Sequence, residues 1–436
     1  MLTSILRFNE FFLLTEGGLG GHMDHLYDHW DLTFGDLKQI LTKASTGELE
    51  GTEKTDGQNI FITYNIEQRD ARAVRNKGNA KAGGLDAAGL AAKFSGTGGQ
   101  VQAVFIHAFN MFKKGIEALS DDEIIDLFGR EGNVFYNAEV IDSRTSNVIN
   151  YDYNTLLVHR DADYVAVDFR TGELKSGFDP GRSQRLAAAL EKMNEQIHGQ
   201  NYAIMGDAIR RLGRLENDTA LRNALIAIRK LGVKDTHRIK DYLVRQVKLQ
   251  INNTIPHLKP KLVKILIVKI VENEDETKWK KLGFDKSPTI TQILKDLDSE
   301  SKIAVKSFYD NRVEMIKGII HPLELTIHEF GVEMLKTLES TLIIDNKAEL
   351  KRQRDEVAAA IRNIEASGHE EALDILKKQL IKLGDAENIS SATEGFVFRF
   401  GGHTYKFTGN FAPVNQILGL FKYGRGNIKP EDLRMR

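Results

Sequence analysis

The chain has 436 residues, 41% of them hydrophobic and 28% charged, with a formal net charge of −1. That length accommodates two or three domains whose cores need no covalent staples. The absence of cysteine excludes disulfides and thiolate metal sites and suits a reducing compartment, so a cytoplasmic location is expected; no apolar run approaches bilayer-spanning length, so no membrane partner is expected.

The opening stretch MLTSILRFNEFFLLTEGG is apolar but carries Glu10. It lacks the basic start and small-residue cleavage site of a signal peptide, and an amphipathic helix packed on the protein is expected instead. HMDHLYDHWD follows. On a helix His22, His25 and His29 would share a face beside Asp24 and Asp28, which permits metal chelation. A polar helix start or a lid is the preferred reading, because a metal site needs supporting groups that the sequence does not display.

Helical spacing then marks TFGDLKQILTKA and VQAVFIHAFNMFKKGIEAL, and strand-like alternation marks NIFITYN, NVFYNAEVID, TLLVHR and DYVAVDF. GFDPGRS, around Asp179-Pro180-Gly181, is a turn signal and a candidate boundary. Residues 1–182 therefore read as a mixed domain. From 183 to 388 apolar residues recur at three- and four-residue spacing, with Gly232 and Gly384 where helices should stop. This block reads as all-helical. Residues 201–270 hold 15 Lys and Arg against 5 Asp and Glu, whereas residues 271–388 hold 18 against 24. The basic half suits a polyanion such as nucleic acid, with Arg210, Arg211 and Arg214 as candidate contacts. It could equally complement the acidic half within the fold. Strands return at EGFVFRFGGHTYKFTGNF, where Gly401-Gly402 is a two-residue hairpin signal. Residues 389–436 then complete the mixed domain, and the helices are an insertion in an α+β fold.

One stretch carries chemistry. GTEKTDGQNIFITYN sets Lys54, Asp56 and Gly57 at the mouth of a strand. A lysine amine, protonated near pH ~10.4 when free, becomes a nucleophile when burial or neighbouring positive charge disfavours the ammonium. Glu53 and Asp56 oppose that, so a metal ion or a second lysine must counter them. Gly57 lets the backbone approach a ligand closely. EGGLGGH and GTGGQ lack the Gly-Lys-Ser/Thr ending of a P-loop. HEF at His328 and HEE at His369 lack the second histidine of a zinc protease.

The segment resembles motif I, Lys-x-Asp-Gly, of the covalent nucleotidyltransferases: ATP-dependent polynucleotide ligases, with the phage RNA ligase 2 branch nearest, and messenger RNA capping enzymes. VRNKG places Arg75 where that superfamily has an arginine touching the ribose. FYNAEVID resembles motif III, ending in Glu139; EGFVF resembles motif IV, with Glu394; YKFTG resembles motif V, with Lys406. Asn59 matches a position used by the RNA ligase 2 branch, which favours RNA over DNA. The match covers about residues 45–170 and 389–410 and leaves the helical block out. Thr408 stands where motif V usually has a second basic residue, and no aromatic of motif IIIa is assignable in TLLVHRDADYVAVDF.

The resemblance implies a nucleotidyltransferase fold with antiparallel, ATP-grasp-like sheets. It implies ATP as substrate, Mg2+ or Mn2+ on Glu394 and Glu139, and nucleic acid ends as partners. Lys54 would attack the α-phosphate, the adenylate would pass to a 5′-phosphate, and a 3′-hydroxyl would displace AMP. Glu53, Asn59, Arg75, Glu139, Glu394 and Lys406 would contact the nucleotide. The alternatives are a DNA ligase, a capping-type guanylyltransferase, or a nucleic-acid-binding protein that has kept the fold without the chemistry.

Overall fold

The computed structural model describes residues 19, 23–95, 99–145, 148–160, 164–271, 295 and 297–422. The amphipathic helix expected at the N-terminus and His22 lie outside them. The strands in chain order are β1 (Asp24–His25), β2 (Glu50–Lys54), β3 (Gln58–Asn65), β4 (Asp70–Val74), β5 (Val134–Ile141), β6 (Thr155–Val158), β7 (Tyr164–Asp168), β8 (Glu173–Gly177), β9 (Ala203–Gly206), β10 (Ile209–Arg211), β11 (Gly395–Phe400) and β12 (His403–Thr408). With the helices between them they make a mixed α/β protein, in keeping with the α+β expectation. The chain divides into two compact units: Met1–Met23, Glu50–Leu212 and Leu335–Arg436 in the first, Asp24–Leu49 and Gly213–Met334 in the second.

The first unit holds two sheets. In the smaller, β12, β11, β2 and β10 pair antiparallel in that order. The larger runs β4-β3-β5-β6-β9, with β7 on the first residues of β5 and β8 on β7; only β6 and β9 pair in parallel. Gly401 and Gly402 both take positive φ, 57° and 84°, the geometry that a two-residue turn requires and that glycine supplies without a Cβ clash. The β11–β12 hairpin thus forms where the sequence places it.

Alternation assigns the faces of the larger sheet. Ile60, Ile62, Tyr136, Ala138, Val140, Leu156, Val158 and Ile204 are buried under the helices Ala87–Phe94, Gly99–Ile116, Asp121–Phe128 and Pro180–Gln196. Each large side chain so buried contributes about 1.5–3 kcal/mol. A second core gathers Ile141, Ile149, Tyr151 and Leu157 with Val357, Leu376 and Ile417. The last three come from the helices Asn346–Ser367, Glu370–Leu383 and Phe411–Lys422.

Two expectations change here. The block 183–388 is not all-helical, because β9 and β10 lie inside it as strands of the two sheets. Strands of four and three residues are too short to show a period of two. Pro180–Gln196 at the head of the block, and Asn346–Ser367 and Glu370–Leu383 near its end, pack in the first unit. Asp179 caps the first of these helices, accepting from the Gly181 N–H with Pro180 in the first turn, so the turn signal starts a helix. Nor do the histidines share a helix: His25 ends β1 and turns follow it. Among the described residues no group of three or more His, Asp or Glu side chains is placed to hold a metal.

Among the described residues of the second unit, β1 is joined by the helices Phe34–Ser45, Thr219–Lys230, Ile239–Thr254, Pro260–Val271, Ser299–Asp310 and most of Arg312–Leu335. Thr33 caps the first of these on the Asp36 N–H, and Phe34 meets Tyr242 edge-on at 6.2 Å. No described helix is long and apolar enough to cross a membrane.

Candidate active site

The smaller sheet has two unlike faces. Residues directly opposite in a ladder share a face. Gly395 pairs with Lys54 on one side and Thr408 on the other, and Val397 pairs with Thr52 and Lys406. Lys54 and Lys406 therefore stand on one face, with only the glycine between Lys54 and Thr408. A Cβ at Gly395 would come within 2.3 Å of the Phe407 carbonyl oxygen, so the position excludes any other residue. The opposite face carries Phe396, Phe398, Tyr405 and Phe407, all fully buried, which anchors the lysine face against a rigid aromatic layer. Lys406 is only 6% exposed. The Lys54 side chain is 14% exposed and ion-pairs with Glu394, 11% exposed, from 340 positions away.

After Lys54 the chain turns, and carboxylates fix the turn. Glu139, on β5, accepts from the Thr55 hydroxyl at 2.6 Å and from the Gly57 N–H at 3.0 Å through Oε2. A Cβ at Gly57 would sit 2.8 Å from that carboxylate, so the glycine permits the approach. Asp56 reaches the loop between β5 and β6. It accepts from the N–H groups of Val148 and Ile149 at 2.7 and 3.0 Å, and its own N–H donates to the Tyr151 hydroxyl at 2.6 Å. Asn150 and Val148 are tied in turn to Glu349 and Arg352 of the helix Asn346–Ser367. Asp56 is thus a strut between the turn and a braced loop.

Behind Glu139 lies a pair that no motif marks. His159, just past β6, sets Nε2 3.5 Å from Glu139 Oε1 and Nδ1 3.4 Å from Asp207 Oδ2. Asp207, just past β9, also accepts from the Arg160 N–H at 3.0 Å. His159 and Asp207 are 48 residues apart, and the parallel β6–β9 pairing is what joins them. The stretch TLLVHRDADYVAVDF, in which no motif IIIa aromatic is assignable, contains His159, and its position after a strand is the only signal in the sequence.

These contacts set the charges. Burial lowers the tendency of His159 to ionise, but the flanking Asp207 and Glu139 outweigh it and hold the imidazolium up to about 10. Burial pushes the Glu139 carboxyl up, yet His159, Lys54 and Thr55 bring it below its usual value. For Glu394 burial wins: despite the pull of Lys54, and with Asp56 and Glu139 adding to the rise, its carboxyl is lifted to about 7.

The remaining candidates fall in different places. Glu53 faces away from Lys54 by strand alternation; it accepts from the Thr341 N–H at 3.0 Å and burial raises its carboxyl. It lines a cavity of about 270 Å³ with Thr55, Tyr153, Leu157, Met205, Asp207, Thr341 and neighbouring residues. Asn59 pairs with Glu139 in the β3–β5 register and donates to Asn137 at 2.5 Å. Arg75 lies over the rings of Phe94 and Phe105, 5.5 and 5.6 Å from their centroids. Arg210 sits opposite Gly51 on β2, and its charge reaches Glu53. Arg211 is exposed and ion-pairs with Glu50, and Arg214 is exposed in the second unit. Part of the basic character of this stretch is thus met by acids of the same sheet.

No protein-family model matches the chain, and neither a curated protein nor a solved structure does.

Proposed function

We propose that the protein is an ATP-dependent polynucleotide ligase that works through a covalent lysyl-adenylate on Lys54, with RNA ends as the preferred substrate. The observation that carries this reading is that Glu394 and Glu139 meet at Lys54 in one buried cluster and that the buried Lys406 stands on the Lys54 face of its sheet, from four segments between positions 54 and 406.

In this reading the Lys54 amine attacks the α-phosphate of ATP. A P–N bond forms, the bond to the β-phosphate oxygen breaks, and pyrophosphate leaves. Phosphoryl transfer depends on positioning and on neutralised oxygens more than on acid–base work. Lys406 stands on the correct face to neutralise an α-phosphate oxygen. The adenylate then passes to a 5′-phosphate, and a 3′-hydroxyl displaces AMP.

The donor set fits a divalent cation at one carboxylate rather than two. Mg2+ takes one or two carboxylates and fills its shell with water and phosphate oxygens, so the lack of a three-residue cluster among the described residues is no obstacle. Glu394 offers oxygens beside the lysine, whereas both oxygens of Glu139 already face donors or His159. A cation on Glu394 would supply charge neutralisation for the phosphates and would loosen the carboxylate from the amine.

The test is incubation with labelled ATP or GTP in parallel with Mg2+, followed by mass spectrometry of the protein. One AMP added at Lys54, lost in Lys54→Ala and slowed about 100-fold or more in Lys406→Ala, is expected. A GTP-only adduct selects the guanylyltransferase alternative. No adduct with either nucleotide ends the enzymatic reading.

A further inference from the structure

Motif I is joined to the larger sheet through a relay of side chains: Asp207 to His159, His159 to Glu139, and Glu139 to both the Thr55 hydroxyl and the Gly57 N–H. All four steps are at 3.5 Å or less. His159 and Glu139 are mostly buried, and Asp207 is 5% exposed. Thr55 and Gly57 flank Asp56 directly after the lysine. Only one group in the relay, Glu139, touches the turn itself.

We infer that His159 and Asp207 are positioning residues for nucleotidyl transfer: through Glu139 they fix the Thr55–Gly57 turn, and with it the aim of Lys54. The inference rests on the lysyl-adenylate reading of the site. The geometry gives His159 this role because its two ring nitrogens both face carboxylates, Glu139 within β5 and Asp207 just past β9, the two strands that flank β6. A ring serving only to fill space would need neither. Positioned this way, Glu139 cannot rotate away from the turn without leaving the imidazole unpaired on that side. Outer-sphere partners of this kind typically change activity 10- to 100-fold when removed, and a misplacement of about 1 Å at the nucleophile costs about 100-fold.

The experiment is single-turnover formation of the Lys54 adduct across ATP concentrations in the full-length protein. His159→Leu, which keeps bulk without donors, is expected to slow the maximal rate about 10- to 100-fold and to move the half-saturating ATP concentration about threefold or less. His159→Gln, which restores a donor toward Glu139, is expected to recover at least part of that rate. Equal rates in His159→Leu and the wild type overturn the inference. So does a loss confined to ATP affinity, or a loss of the same size in His159→Leu and His159→Gln. Should His159→Leu not fold, His159→Gln, Asp207→Asn and the double variant carry the test. Effects on the maximal rate smaller together than their product support a relay, and fully multiplicative effects overturn it. A wild type that forms no adduct removes the ligase reading itself, whereas an adduct-forming wild type with an indifferent His159 removes only the relay.

Discussion

Glu139 on the larger sheet and Glu394, just before β11 of the smaller one, are the same side chain, comparably buried at 12% and 11% exposure, and their carboxyls move in opposite directions. The difference lies in their partners. Glu139 is surrounded by donors that do not compete for the lysine: a hydroxyl, a backbone N–H and an imidazolium. Glu394 faces Lys54, with two other acids nearby. Burial penalises both, and only the environment with enough donors overcomes it. The larger sheet therefore holds its carboxylate as a fixed anion that braces the turn. The smaller sheet holds one whose charge is costly, which would suit the release of an amine and the uptake of a cation in the proposed reaction.

Glu139 carries the largest expected effect. Glu139→Leu would strand the Thr55 hydroxyl, the Gly57 N–H and the His159 imidazolium in the interior, and a loss of about 3–5 kcal/mol is expected in urea unfolding. A loss below about 1 kcal/mol would mean that the donors find other partners. Glu394 is sharpened by pH. Its folded-state carboxyl titrates near 7 instead of 4.5, so between those values the folded state keeps a proton that the unfolded chain has released. Stability from this group is present below pH 4.5 and is lost as pH rises through 7. Glu394→Gln should remove that loss, making the variant's stability relative to wild type more favourable at pH 8 than at pH 5 by about 3 kcal/mol; a difference that stays constant with pH contradicts the shifted carboxyl. Tyr151→Phe comes next, since it leaves the Asp56 N–H without its 2.6 Å acceptor. About 1–3 kcal/mol is expected, read from thermal unfolding. The smallest effect belongs to the exposed Arg211–Glu50 pair. Arg211→Ala should change stability by about 1 kcal/mol or less. If salt-dependent binding to single-stranded RNA is also unchanged, Arg211 serves the sheet edge and not a polyanion.

Much of the site is legible in the residues themselves. Lys54, Glu394 and Lys406 stand in short motifs at or near strand ends, and strands have the local alternation and turn residues that make such ends recognisable. The Gly401-Gly402 turn is equally plain, because positive φ at two successive positions has few chemical solutions. The departures from expectation have specific causes. β9 and β10 are too short to register a period and lie between strong helical patterns. The three histidines match a helical spacing, yet the described part of their segment makes a strand and turns instead. Asp56, two residues from Lys54, adds its charge to the rise of the Glu394 carboxyl, and its Oδ2 also accepts from Val148 and Ile149, a link that no local pattern marks.

Local pattern was enough to mark β3, β5, β6, β7 and the β11–β12 hairpin with its turn, and to single out Lys54 three positions before Gly57. These are short-range properties, fixed by φ preferences and side-chain alternation within a few residues. Which carboxylate meets the lysine, which one clips the turn, and that His159 and Asp207 stand behind it came from the assembled fold. Those pairings depend on strand order and register across tens to hundreds of residues, and the sign of each carboxyl's shift follows from the donors that the register delivers.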